Sequence, residues 1–130
     1  EEMLECEMVP FKAGIKAGAK MIMTAHIAAP KVTGDELPAT LSPVILQDKL
    51  RGELGFKGVI VTDAMDMGAI TTQFGNAEAA IKSIQAGVDV VLCSREFTQV
   101  FDAVVKAVED GEIKETRIDE SVKRILDLKK

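Results

Sequence analysis

The sequence predicts an α/β protein with parallel strands and outer helices, built as part of a (β/α)8 barrel. Three observations carry this. First, one local pattern recurs three times: Ala17-Gly18-Ala19-Lys20 leads into MIMTAH, Leu54-Gly55-Phe56-Lys57-Gly58 into VIVTDAM, and Ala86-Gly87-Val88-Asp89 into VVLCS. Each time a helix-like stretch stops at a glycine, as a left-handed C-cap requires, and a short apolar strand follows. Second, Val59-Ile60-Val61 is an unbroken branched apolar run, the mark of a strand buried on both faces of a parallel sheet. Third, three parallel strands alone would leave two open sheet edges. A closed eight-stranded barrel takes ~250 residues, and this chain has 130. Residues 1–130 therefore read as one portion of such a barrel.

The elements follow in order as α-β-α-β-α-β-α-α, with right-handed crossovers. Leu4, Met8, Phe11 and Ile15 share a helical face, with Pro10 as a kink or restart. A strand is expected over 21–26. Ser42-Pro43 supplies an N-cap and a proline at the first helical position, and Leu46, Leu50 and Leu54 line the helix that follows. The second strand covers 58–63. Asn76 is placed to cap a helix carrying Ala80, Ile81 and Ile84, and the third strand covers 88–93. Phe97, Val100, Phe101, Val104, Val105 and Val108 form an apolar stripe that stops at Gly111. The last helix carries Val122, Ile125 and Leu126, starts near Thr116 or Asp119, and ends in KRILDLKK, read as a solvated basic end at the negative pole of the helix dipole.

Composition excludes several classes of function. The net charge of -5, with 4% aromatic residues and no Trp or Tyr, argues against a nucleic-acid partner. No apolar stretch approaches the ~20 residues that cross a bilayer. Cys6 and Cys93 are too few for a disulfide framework, and Cys93, inside an apolar run, is expected to be a buried thiol. The compartment is not legible in the sequence.

The chemistry concentrates after the strands. Residues 27–41 and 64–75 form long connections on the side where such folds build sites. Asp63 ends the most apolar strand, and α/β folds place catalytic groups at the carboxyl ends of parallel strands. A solvated strand-end acid or a helix cap would look the same at this point. Asp66, three residues on, is expected in solvent or at a cap. A metal set of His26, Asp63 and Asp66 is conceivable by ligand type.

PATLSPVILQDKLRGELGFKGVIVTDAMDMGAI, Pro38 to Ile70, closely resembles the family 3 glycoside hydrolases, in particular the bacterial β-N-acetylhexosaminidases. MIMTAHI, AGVDVVL and the closing IDESVKRILDLK carry the same resemblance, which covers essentially the whole chain. It implies a (β/α)8-like barrel and retaining hydrolysis of a terminal β-linked N-acetylhexosamine, with Asp63 as nucleophile and with neither a metal nor a cofactor. Such an enzyme needs an ionised carboxylate beneath the anomeric carbon and an acid about 5–5.5 Å away. Met67 matches the methionine after the family's nucleophile, with lining of the sugar pocket as one reading and core filler as the other. His26 is expected as a hydrogen-bonded residue beneath the site, with a sugar contact as the other reading.

The family's histidine acid/base sits in a KHFPGHGD-like run, and nothing like that run occurs here. The chain is accordingly expected to be the C-terminal portion of the catalytic barrel, inactive alone, and prone to pair with itself or with the missing N-terminal half. Two other readings stay open: a family 3 β-glucosidase or xylosidase, and a catalytically silent fragment.

Overall fold

Parallel pairing around one central strand organises the chain. The computed structural model describes residues 3–93 and 95–130. Ser94, at the end of the VVLCS run, lies outside them, as does the side chain of Leu4 with its expected place on the first helix. Strand β1 (Met21–Met23) runs parallel to β2 (Val59–Val61), with Met21 opposite Val59 and Met23 opposite Val61. On the other side of β2, the third apolar run meets it through a parallel bridge between Val61 and Val90. The expected order and direction hold for all three segments. The third stays a bridge rather than a full strand, because its pairing is shared between backbone and side chain. Val90 N–H donates to Ile60 O and Thr62 N–H to Val90 O, but Leu92 N–H turns to the Thr62 hydroxyl.

Burial follows from this order. All three residues of β2 are buried, as a central strand's must be, whereas Met21 and Met23 on β1 are about half exposed. Beneath β2 lies a core of Ile45, Leu46, Leu50, Phe56, Ile60 and Val88. Burying each of the larger side chains stabilises by about 1.5–3 kcal/mol. Leu46 and Leu50 come from the helix Val44–Glu53, a wider π-helix in which Leu54 N–H donates to Lys49 O five residues back. Its start matches the sequence, since the Ser42 hydroxyl accepts from Ile45 N–H just before the turn.

Short helices occupy the long connections: α2 (Pro30–Thr33) and a 3₁₀ turn (Ala39–Leu41) in the first, α3 (Gly68–Thr71) in the second. Pro10 acts as a restart, opening α1 (Val9–Lys16) after a wide turn over Met3–Glu7. Helix α4 (Asn76–Ala86) packs on α5 (Phe97–Glu109), and α6 (Glu115–Leu128) closes the chain against β2. Gly87 ends α4 at φ +121°, where a Cβ would also strike the Gln47 side chain. Gly18 and Gly55 have the same positive sign of φ, so the repeated glycine stop is a structural repeat.

Several local expectations give way. Asn76 lies inside the first turn of α4 instead of capping it, drawn away by its amide's hydrogen bond to Glu96 Oε2 at 3.0 Å. Helix α6 does begin next to Thr116, at Glu115, though with no side-chain cap. Cys93 is half-buried, its thiol donating to Arg95 O. The stripe on α5 is only partly covered: Val100 is buried, while Phe97 and Phe101 are 66% and 56% exposed and stack on each other.

The basic end of α6 is not simply solvated. Arg124 reaches Asp89 at 2.9 Å, joining Arg51 at 2.7 Å, Arg117 at 3.6 Å and the Ser121 hydroxyl at 2.7 Å. The Asp89 side chain is fully buried and also accepts Ile60 N–H, so one carboxylate ties β2 to α6 and to the π-helix. Burial lowers the pKa of Arg51 and of Arg117, and the charge of Asp89 opposes that shift in each.

Candidate active site

The site begins where β2 stops. Thr62 is fully buried and its hydroxyl accepts Leu92 N–H at 2.9 Å, while Met65 N–H donates to Leu92 O at 2.9 Å. Residues on both sides of Asp63 are thus fastened to the third segment. Asp63 itself is half-buried, and its Oδ1 accepts the N–H of Ala64 at 2.7 Å. The backbone turns here because Met65 drops into a second core with Leu41, Ile70 and Ala79. The acid is left at the open end of the strand.

His26 reaches the same turn from β1's side. Its Nε2 lies 3.0 Å from Ala64 O, and its Nδ1 lies 2.9 Å from the Thr40 hydroxyl. Thr40 is fully buried, sits 2.8 Å from the Thr24 hydroxyl, and lies 3.1 Å from Ala25 O. The structure therefore brings His26 and Asp63 to one turn, joined through Ala64. Thr24 and Thr40 are the members that sequence reasoning missed, although both lie inside the MTAHI and PATLS stretches. The available signal was alternation: Thr24 and His26, two apart, share a side of an extended segment.

The other two named residues diverge. Met67 is 45% exposed, immediately before α3. Asp66 pairs with Arg95 at 3.6 Å, and Arg95 is so exposed that the pair contributes little. Among the described residues, no group of three His, Cys, Asp or Glu is placed to hold a metal ion. No helix among them is long and apolar enough to cross a membrane.

Two cavities lie elsewhere. One of about 230 Å³ is an apolar groove between α4, α5 and α6, flanked by Ile84, Val100 and Ile125. Another of about 370 Å³ lies between Lys20, Phe56 and Leu128. Neither includes Asp63, His26 or Met67.

An acid at the carboxyl end of a central parallel strand, held from both flanks, defines an α/β protein of the strand-end-site class. Residues 1–128 match the glycosyl hydrolase family 3 N-terminal domain, and the chain belongs to that family. Among curated relatives, it is 34% identical to beta-hexosaminidase A of Pseudoalteromonas piscicida, over 95% of this chain and 24% of the relative. It is 33% identical to a beta-N-acetylglucosaminidase/beta-glucosidase of Cellulomonas fimi, over 93% of this chain and 23% of the relative. Among solved structures, a family 3 beta-N-acetylglucosaminidase from a Paenibacillus species superposes with a TM-score of 0.89 at 44% identity, over 95% of this chain and 24% of that one. The chain spans about a quarter of the length of these proteins.

Proposed function

We propose that these residues are the C-terminal portion of a (β/α)8-type catalytic barrel, and that the whole barrel is a retaining exo-β-N-acetylhexosaminidase acting on terminal N-acetylglucosamine. Asp63 is the nucleophile in this reading. The observation that carries it is the position of Asp63: a half-buried carboxylate at the end of the central strand, with Thr62, Ala64 and Met65 each anchored by a hydrogen bond to another segment. Retaining hydrolysis requires a carboxylate fixed beneath the anomeric carbon, and a strand end supplies that rigidity.

In the reaction, an Asp63 carboxylate oxygen bonds to the anomeric carbon while the glycosidic bond breaks and an acid outside these residues protonates the leaving oxygen. Water then attacks the glycosyl-enzyme, releasing the sugar and restoring the carboxylate. Asp63 Oδ1 already accepts Ala64 N–H, so Oδ2 is the oxygen for attack. Met67, exposed beside the turn, lines the sugar pocket, and His26 lies beneath it, both ring nitrogens engaged by protein atoms. The carbohydrate chemistry is supported by the hexosaminidase names of the relatives. The double name of the Cellulomonas relative favours one alternative, action on β-glucosides.

The test is the Asp63→Asn variant of the full-length protein. Turnover of an aryl β-N-acetylglucosaminide should fall to background, since an amide forms no glycosyl ester. Substantial remaining activity removes Asp63 as the nucleophile, and preferred turnover of the aryl β-glucoside by the unaltered protein selects the alternative substrate.

A further inference from the structure

We infer that Thr40 is a positioning residue for the strand-end acid, acting through His26; the inference rests on Asp63 as the attacking carboxylate. Ala64 O can only accept, so His26 Nε2, 3.0 Å away, must carry a hydrogen. In the neutral ring Nδ1 is then bare and needs a donor, and the Thr40 hydroxyl 2.9 Å away is the group that faces it. Having given its proton to the ring, Thr40 accepts from the Thr24 hydroxyl at 2.8 Å. The four groups form a chain of one direction: Thr24 to Thr40, Thr40 to His26, His26 to the carbonyl of Ala64.

Thr40 has a single proton, and Ala25 O at 3.1 Å competes for it. The shorter contact to His26 and the incoming hydroxyl of Thr24 favour the ring. The consequence reaches Asp63 because Ala64 is held at both ends. Its carbonyl takes the His26 hydrogen, and its N–H is the donor to Asp63 Oδ1 at 2.7 Å. A ring free to change tautomer or to flip would release that carbonyl and let the 63–65 turn shift. Displacements of about 1 Å at a reacting group can cost on the order of 10²-fold in rate. Thr40 and Thr24 are both buried, so water has little access to replace either hydroxyl.

The test uses the full-length protein with Thr40→Val, which keeps the shape and removes the donor, and Thr40→Ser, which keeps the donor. His26 nitrogen resonances are identified as the pair lost in His26→Gln. In the unaltered protein His26 should carry its hydrogen on Nε2 with Nδ1 accepting. Thr40→Val should mix the tautomers and lower kcat about tenfold or more, with KM for the aryl glycoside changed far less. Thr40→Ser should restore the single tautomer and most of kcat. The inference is overturned by a hydrogen on Nδ1 with Nε2 bare, by a Thr40→Val variant with unchanged kcat, or by a lowered kcat without any change in the ring resonances. The role of Asp63 is read separately: activity surviving in Asp63→Asn sinks the nucleophile assignment whatever the tautomer of His26.

Discussion

Arg51 Nη2 donates to Asp89 Oδ2 at 2.7 Å, joining residues 38 positions apart beneath the central strand. The same arginine donates from Nη1 to Gly58 O at 3.1 Å, so it grips the entry to β2 and the start of the third segment together. Three arginines share this buried carboxylate, and removing it leaves their charges facing one another. Breaking a buried pair by deleting one partner costs about 3–5 kcal/mol. Asp89→Ala should therefore lose stability on that scale in urea unfolding. Lys49→Ala, which deletes the more exposed pair with Glu53, should cost less than about 1 kcal/mol. Equal effects of the two would show that the Asp89 cluster is not a structural centre.

Two glycine substitutions should act in opposite directions. A Cβ on Gly58 would meet the Lys20 carbonyl and come within 2.6 Å of the Phe56 ring, because β1 enters the sheet against this residue. Gly58→Ala should destabilise by about 1–3 kcal/mol, as overpacking does. In α1, a Cβ on Gly14 meets nothing within 4 Å. Gly14→Ala should stabilise by up to about 1 kcal/mol through helix propensity. Thermal unfolding of both variants, measured together, checks the signs.

The stacked pair Phe97 and Phe101, with ring centroids 6.2 Å apart, is exposed on α5 and flanks the apolar groove that Val122 and Ile125 of α6 also line. Exposed apolar patches of this kind favour association. Replacing both phenylalanines by serine in the 130-residue chain should raise its monomeric fraction in light scattering while leaving its helix content unchanged. An unchanged association state would place the sticky surface elsewhere, with the exposed β1 edge at Met21 and Met23 next to be tried.

The 130-residue chain by itself should show no appreciable turnover of an aryl β-N-acetylglucosaminide. In the proposed reaction the leaving oxygen needs a proton, and general acid catalysis typically contributes 10²–10⁴-fold. Turnover near that of a whole enzyme, abolished by Asp63→Ala, would show that the acid lies within these residues.

Sequence by itself determined where the chain turns and which strand is central. Glycine stops at 18, 55 and 87, the Ser42-Pro43 start and the unbroken Val59–Val61 run are local statements of backbone preference and burial, and each survives in the structure. The position of Asp63 at the end of that strand was legible for the same reason. Tertiary structure alone decided how side chains far apart in the chain share protons and charge. Asp89 looked like a polar step before VVL, and KRILDLKK like a wet helix end, until folding buried the one against Arg124 of the other. Thr40 drew no attention in the sequence until folding brought it, 14 positions on from His26, into a hydrogen bond with that ring. The apolar stripe of α5 shows the limit from the other side: periodicity marks a face for burial, but what covers it depends on neighbours in space, and Phe97 and Phe101 remain in solvent.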